Sequence, residues 1–157
     1  MPDMSLSLTL DGPDATARCA AWLGARLSAG DTVLLTGDVG AGKTHFARAL
    51  IQSLLVHHED VPSPTFTLVQ TYDTLRGEIW HSDLYRLSDP TEIEELGLVD
   101  AFDDAICLVE WPDRLAGLWP RQALELTLAG AGTPEGRHLQ ARWQDPKWQK
   151  ILEGWSA

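Results

Sequence analysis

The segment TVLLTGDVGAGKT, residues 32–44, constrains the fold more than any other part of the chain. It joins TVLLT, an apolar run with β-branched ends, to a glycine-rich stretch. The residues that follow, KTHFARALIQSLLVHH (43–58), place Phe46, Leu50 and Leu54 at helical spacing. The pattern predicts a buried strand, a tight turn and an amphipathic helix, an arrangement typical of α/β folds.

The glycine-rich turn matches G-x-x-x-x-G-K-[ST], the P-loop or Walker A motif. Glycine permits backbone angles that let N–H groups converge on an anion, and the helix N-terminus adds partial positive charge. The motif therefore predicts a phosphate site that binds a nucleoside triphosphate. The residues predicted to contact the nucleotide are Gly37, Asp38, Val39, Gly40, Ala41, Gly42, Lys43, Thr44 and His45.

Lys43 is the only lysine among residues 1–146, which contain nine arginines. Inside a tight loop, a compact ammonium bridges β- and γ-phosphates better than the planar arginine fork does. Thr44 offers its hydroxyl to Mg²⁺. His45 supplies a backbone N–H but lacks the hydroxyl that a second Ser or Thr would bring. Its ring is expected to face solvent, with a phosphate contact as the alternative.

Two carboxylates follow predicted strands and are candidates for the Mg²⁺ shell. Asp83 ends EIWHSD, and Glu110 ends AICLVE. A P-loop needs such an acid at the end of a neighbouring strand, and the more apolar strand makes Glu110 the better Walker B match. We expect one acid to order Mg²⁺ and the other to orient a water near the γ-phosphate. The residues alone leave this division open, and either acid is alternatively an ordinary solvated carboxylate.

Three further features surround these candidates. Ser63 and Thr65 lie in the loop SPTFT, where their hydroxyls are candidates to sense the γ-phosphate as switch loops do. The alternative is a plain proline-stiffened turn. His81 is interpreted as a strand residue with a satisfied ring, and Trp111 either packs in the core or faces the site.

The rest of the chain alternates helices with strands, but hairpins interrupt the alternation. We predict one α/β domain over residues 1–157, with a mixed parallel and antiparallel sheet flanked by helices. A C-terminal hairpin and a short tail helix, from about residue 121, belong to it. The predicted strands are 5–10, 32–36, 66–72, 78–85, 105–111, 123–130 and 137–144. The predicted helices are one with Asp14 as its cap and Gly30 as its stop, 43–58, 89–98, and one after Asp145-Pro146.

Composition excludes several classes of function. The net charge of −11 repels phosphate backbones, so we expect contact with RNA only through a basic partner. No run of 18 apolar residues occurs, and the first twelve residues lack signal-peptide features, so we expect a cytoplasmic protein with no membrane span. Cys19 and Cys107 lack metal-ligand spacing and are predicted to be small buried hydrophobes.

Several segments together resemble one family of proteins. GDVGAGKT, SPTFTLV, HSDLYRL, DPTEIEELG and AICLVEWPDRL occur in an order similar to that of the TsaE (YjeE) family, over about residues 32–115. The resemblance implies a P-loop NTPase-like domain that binds ATP with Mg²⁺ and is a weak hydrolase by itself. It further implies a part in the N6-threonylcarbamoyladenosine modification of tRNA. ATP binding and hydrolysis would support turnover of a complex of TsaB and TsaD homologues, through which tRNA is reached only indirectly.

The resemblance also assigns roles to individual residues. Lys43 would grip phosphate, Thr44 and Asp83 would serve Mg²⁺, and Glu110 would orient the water, with the metal as its other candidate role. Two further residues follow the same pattern: Thr65 would belong to the switch-like loop, and Trp111 is part of the signature. His45 departs from the second threonine usual in the family, which affects the expected α-phosphate contact.

Three rival functions share a P-loop. A small-molecule kinase would show an acceptor pocket and an arginine-rich lid, whereas the arginines here are scattered. A regulatory GTPase that uses N-K-x-D to read guanine is excluded, because the chain contains no asparagine. A non-catalytic module gated by nucleotide stays open, since slow turnover and pure gating look alike in one sequence.

Overall fold

A computed structural model describes residues 4–38, 40–87 and 89–156. The strands are β1 (Met4–Leu10), β2 (Thr32–Thr36), β3 (Val69–Thr74), β4 (Gly77–Asp83), β5 (Ile106–Glu110), β6 (Leu124–Gly130) and β7 (Arg137–Trp143). The helices are α1 (Pro13–Gly24), α2 (Lys43–Leu54), α3 (Thr91–Glu95), α4 (Leu98–Asp104) and α5 (Lys147–Ile151). A 3₁₀ segment, Pro112–Leu118, follows β5.

All seven strands form one sheet in the order β1-β7-β6-β2-β5-β4-β3. The four inner strands β6, β2, β5 and β4 are parallel, and the outer pairings β1–β7, β7–β6 and β4–β3 are antiparallel. The predicted mixed sheet in an α/β fold is therefore confirmed. Because parallel strands end at the same edge, the loops after β2, β4 and β5 leave the sheet side by side.

A hydrophobic core covers each face of the sheet. On one face, Val33 and Leu35 of β2 belong to a cluster that α1 and α2 close with residues such as Leu23 and Leu50. On the other face, Leu34 belongs to a second cluster with residues of α3, α4 and the 3₁₀ segment. The central strand is buried on both sides, which explains its unbroken apolar sequence.

Several predicted boundaries are wrong for local reasons. Helix α1 starts at Pro13, whose fixed φ suits the first helical position, so Gly12 and not Asp14 is the N-cap. The same helix ends at Gly24, well before Gly30. Helix α2 stops at Leu54 instead of residue 58. The next residue, Leu55, has an extended backbone and forms a β-bridge to Thr74, the last residue of β3.

The middle of the chain differs more. The strand predicted from residue 66 starts only at Val69, since Leu68 has φ 69° and donates its N–H to the carbonyl of Pro64 at 2.7 Å. The next strand ends at Asp83 rather than residue 85. Helix α3 covers only Thr91–Glu95 of the predicted 89–98, and Gly97, with φ 80°, lies between it and α4, a helix that was not predicted.

The remaining predictions agree with the structure. The strands at the two ends of the chain lie within a residue of their predicted bounds, and the tail helix follows Asp145-Pro146. Cys19 and Cys107 are buried free thiols, and burial raises the pKa of each to about 12. No helix within the described ranges combines the length and apolar character that crossing a membrane requires.

Leu50→Ala should lower the free energy of unfolding by about 2–5 kcal/mol, because Leu50 is fully buried between α1 and α2. Leu75→Ala is the matched control, since Leu75 lies in the β3–β4 turn and is 72% exposed. Its effect should stay within about 0.5 kcal/mol. Urea denaturation followed by circular dichroism measures both, and equal effects would contradict the described packing.

Candidate functional site

The loop between β2 and α2 opens onto a cleft at the carboxyl edge of the parallel strands. The cleft has a volume of about 560 Å³. Such crevices beyond the strand ends are where open α/β sheets bind ligands. It is lined by residues from the loop, the start of α1, the strand ends and the β6–β7 turn, among them Pro13, Thr16, Gly42, Lys43, Thr44, Ser63, Thr65, Asp83, Glu110 and Arg137.

The glycines of the loop are needed for its path. Gly37, Gly40 and Gly42 have φ of 147°, 83° and 103°, values that L side chains rarely adopt. A Cβ on Gly37 would lie 2.5 Å from the carbonyl oxygen of Leu128 in β6, so this glycine also allows a close backbone approach. Val39, a predicted nucleotide contact, lies outside the described residues.

The ammonium of Lys43 is held inside the loop. It donates to the carbonyl oxygens of Gly37, at 2.5 Å, and Asp38, at 3.0 Å, and it lies 4.2 Å from the ring centre of Trp111. Burial lowers the pKa of Lys43, and the nearby carboxylates of Glu110, Asp83 and Asp38 oppose that shift. The ammonium of Lys43 thus lies inside the loop, at the position where the sequence predicts the phosphates.

Glu110 connects the loop to the sheet. Thr44 donates its hydroxyl to Oε1 of Glu110 at 2.7 Å, and the ring Nε2 of His81 lies 2.7 Å from Oε2. The side chain of Glu110 is only 2% exposed although it borders the cleft. The interpretation of His81 as a satisfied strand residue is half right, because its Nδ1 is buried and has no hydrogen-bond partner among the described residues.

Asp83 connects the loop SPTFT to the same edge. Thr65 donates to Oδ2 of Asp83 at 3.3 Å, and the hydroxyls of Ser63 and Thr65 are 2.8 Å apart. The backbone N–H of Tyr85 donates to the other oxygen, Oδ1, at 3.0 Å. The parallel register places Asp83 opposite Glu110, so the two predicted acids are neighbours.

His45 and Trp111 take up different surroundings. The ring Nε2 of His45 lies 3.0 Å from the carbonyl oxygen of Pro13 at the start of α1, and the residue lines the cleft, so its ring has a backbone partner at the exposed rim. Trp111 has φ 57°, a left-handed value that is unusual for a bulky residue. This conformation brings its ring to the cleft, where it also contacts the ring of Tyr85 at 4.9 Å between centres.

Sequence reasoning missed Arg137, the first residue of β7. Its guanidinium donates to the carbonyl oxygens of Ala41 at 3.0 Å and Gly40 at 3.2 Å, across 96 and 97 residues of sequence. The same group also donates to Pro134 and Gly136 in its own hairpin. Arg137 therefore holds the loop between β2 and α2 (the phosphate loop) in place. No local sequence signal marks this role of Arg137, because the hairpin reaches the loop only through the pairing of β6 with β2.

The oxygen groups at the cleft fit a magnesium ion. Across the ranges that the structure describes, no three His, Cys, Asp or Glu side chains gather as a metal site. Mg²⁺ prefers hard oxygen ligands and is commonly held by one or two carboxylates together with substrate phosphates. The hydroxyl of Thr44 and the carboxylates of Asp83 and Glu110 supply that set without a further protein ligand.

The sequence matches a known family over most of its length. The family described as "Threonylcarbamoyl adenosine biosynthesis protein TsaE" matches residues 10–139. The chain is 40% identical over 121 residues to the tRNA threonylcarbamoyladenosine biosynthesis protein TsaE of Rickettsia felis, covering 77% of this chain and 71% of that protein. It is 36% identical over 124 residues to the TsaE protein of Bacillus subtilis, covering 78% and 77%.

A solved structure shares the whole architecture. The crystal structure of Bacillus subtilis YdiB superimposes with a TM-score of 0.81 at 25% sequence identity, and the match covers 98% of this chain and 95% of that one. The likeness thus includes the C-terminal hairpin and tail as well as the segment around the loop.

Gly37→Ala should destabilise the fold by about 2–5 kcal/mol, since it combines left-handed backbone strain with a clash against β6. Gly40→Ala is the control. Gly40 also has positive φ, but a Cβ there would meet nothing within 4 Å. The control should cost only the strain, about 1–2 kcal/mol. Denaturation midpoints of both variants measure the difference, and a smaller loss for Gly37→Ala would refute the close approach.

Proposed function

The chain belongs to the TsaE family of tRNA threonylcarbamoyladenosine biosynthesis proteins, and on that premise we propose that it is a Mg²⁺-dependent ATPase of that pathway. In this proposal it is a P-loop NTPase domain over residues 1–157. It binds ATP in the cleft, hydrolyses it slowly alone, and releases ADP. One observation carries the proposal: Lys43, Thr44, Asp83 and Glu110 converge at the mouth of one glycine-rich loop.

Lys43 is the proposed phosphate contact. Its ammonium already sits among loop carbonyls, so it needs only a short reorientation to reach β- and γ-phosphate oxygens. The helix N-terminus at Gly42 faces the same space, and its free N–H groups favour an anion there. The loop residues 37–45 then act together as the phosphate cradle, and Lys43 also counts as catalytic because it stabilises charge that develops on the transferred phosphoryl group.

The two acids take different parts in this proposal. A bound Mg²⁺ would neutralise charge on the phosphates and orient them for attack. Thr44 and Asp83 would hold the ion, and Glu110 is the third candidate ligand. Glu110 would orient the attacking water and accept a proton from it. The residue borders the cleft, and His81 holds its Oε2.

The loop around Ser63 and Thr65 is the proposed switch. The hydrogen bond from Thr65 to Asp83 ties the loop to the proposed metal ligand. A movement of Asp83 when ATP binds or is hydrolysed would shift Thr65 through this hydrogen bond. The position of the loop would then report to a partner which nucleotide is bound. We infer that the partner is a complex of TsaB and TsaD homologues, and that hydrolysis resets this complex between turnovers.

The proposed site of action is the cytoplasm, where tRNA is modified. The net charge of −11 opposes direct binding of tRNA, so the RNA is reached through the partner complex. A kinase is the less favoured alternative. Arg137 is the one arginine among the described residues that line the cleft, and its donors are engaged with backbone carbonyls rather than free to act as a lid.

Lys43→Ala should weaken ATP binding by about 10- to 100-fold, because a hydrogen-bonded charge on the phosphates is lost. Lys150→Ala is the control, since Lys150 is an exposed residue of the tail helix. Isothermal titration calorimetry with Mg²⁺ and ATP gives the two affinities. Undiminished affinity in Lys43→Ala would reject the P-loop assignment.

Glu110→Gln should leave ATP affinity within about threefold of the wild type and lower hydrolysis by about 10²- to 10³-fold, because the amide cannot take the proton from water. Hydrolysis is measured with the protein alone and with purified TsaB and TsaD homologues. Strong stimulation by the partners that vanishes in Glu110→Gln supports the proposed function.

Glu125→Gln is the matched control, because Glu125 lies on β6 and does not line the cleft. Asp83→Asn separates the two acids, since loss of the main metal ligand should raise the Mg²⁺ concentration needed for binding more than Glu110→Gln does. Equal hydrolysis with and without partners would contradict the pathway role, and a screen for phosphorylated metabolites would then test the kinase alternative.

A further inference from the structure

His81 is a fully buried histidine directly behind the proposed water-orienting acid. It lies on β4 two residues before Asp83 and therefore shares a sheet face with it. On the neighbouring strand β5, Glu110 projects from that same face, and the ring Nε2 lies 2.7 Å from its Oε2. Histidine is a costly residue for such a position unless its polar atoms are used.

The hydrogen-bond partners of the ring fix which nitrogen carries the proton. A carboxylate oxygen accepts, so Nε2 must donate a proton to Oε2. Nδ1 has no partner within the described part of the chain. A buried N–H without an acceptor costs more than a bare ring nitrogen, so between the two tautomers the one with its proton on Nε2 fits the contacts. The ring thus offers one directed donor, aimed at Glu110.

The carboxylate of Glu110 has two hydrogen-bond partners among the described residues, and they lie on different sides. Oε1 accepts from Thr44, whose hydroxyl is also the proposed ligand of the metal. A hydroxyl has one proton and two lone pairs, so Thr44 could bind a metal through its oxygen and still donate to Oε1, and Oε1 could accept a second hydrogen bond from a water. The contact to His81 lies on the buried side of the carboxylate.

We propose that His81 is the positioning residue for Glu110, holding its Oε2 so that Oε1 stays aimed at the attacking water in the cleft. The inference rests on the proposed ATPase function and adds a residue to it. A glutamate has several rotatable bonds, and an unheld carboxylate would spread over several rotamers. A single donor to Oε2 limits that spread. The limit matters because catalytic groups work only within a narrow range of geometry.

The test replaces the donor while keeping the burial. His81→Leu removes the donor together with the unpartnered Nδ1 and leaves Oε2 unpaired, so its stability is measured beside its rate. His81→Gln places an amide N–H near the position of Nε2 and should restore the contact. We expect His81→Leu to lower kcat for Mg²⁺-ATP by about 10- to 100-fold, with ATP affinity within about threefold of the wild type. His81→Gln should recover most of the rate.

A double-mutant cycle shows whether His81 acts through Glu110. In the Glu110→Gln background, His81→Leu should change single-turnover hydrolysis by less than about threefold, because residues that act as a unit are strongly non-additive. Urea denaturation of every variant separates loss of rate from loss of fold. If His81→Leu does not fold, His81→Phe supplies the variant without a donor.

The outcomes separate this inference from the function on which it rests. Wild-type protein that hydrolyses no ATP, even with the partner proteins, overturns both. Normal wild-type turnover together with full turnover of a folded variant without the donor overturns the role of His81 alone. The role of His81 is also overturned if His81→Gln and His81→Leu lower kcat equally. It is overturned as well if His81→Leu lowers the rate by the same factor in the wild type and in the Glu110→Gln background.

Discussion

The parallel pairing of β2 with β5 is the constraint on which the site depends. It places Leu35 opposite Glu110, so the strand that leads into the phosphate loop and the strand that ends in the acid finish together. The pairing of β4 with β5 then adds Asp83 at the same level. Each pairing is fixed by burial on both faces, because a shift of one residue would send apolar side chains to the wrong core.

The sequence predicted those parts of the molecule whose signals are local. The run TVLLT, the glycine pattern and the helical spacing of Phe46, Leu50 and Leu54 each describe one element, and each appears in the structure. Asp83 and Glu110 were found by the same logic, since each ends a predicted strand. Their adjacency was not predicted and comes from the parallel pairing of β4 with β5 in the structure.

Other parts could not be predicted, because their cause is tertiary. Leu68 and Trp111 adopt left-handed angles that their own types disfavour, and surrounding contacts impose them. Arg137 donates to Pro134 and Gly136 beside it in sequence, but its two contacts with carbonyls of the loop after β2 span 96 and 97 residues. His81 looked like an ordinary strand residue until the neighbouring strand placed Glu110 against its ring.

The dependence of the phosphate loop on β6 and β7 has a consequence for biosynthesis. Gly37 rests against the carbonyl of Leu128, and Arg137 holds Gly40 and Ala41, so the loop's shape relies on residues made about ninety positions later. On the ribosome, the motif emerges long before its supports do. Contacts of such long sequence separation form late and slowly. A nascent chain therefore carries the nucleotide motif without its binding geometry until nearly the whole domain has been synthesised.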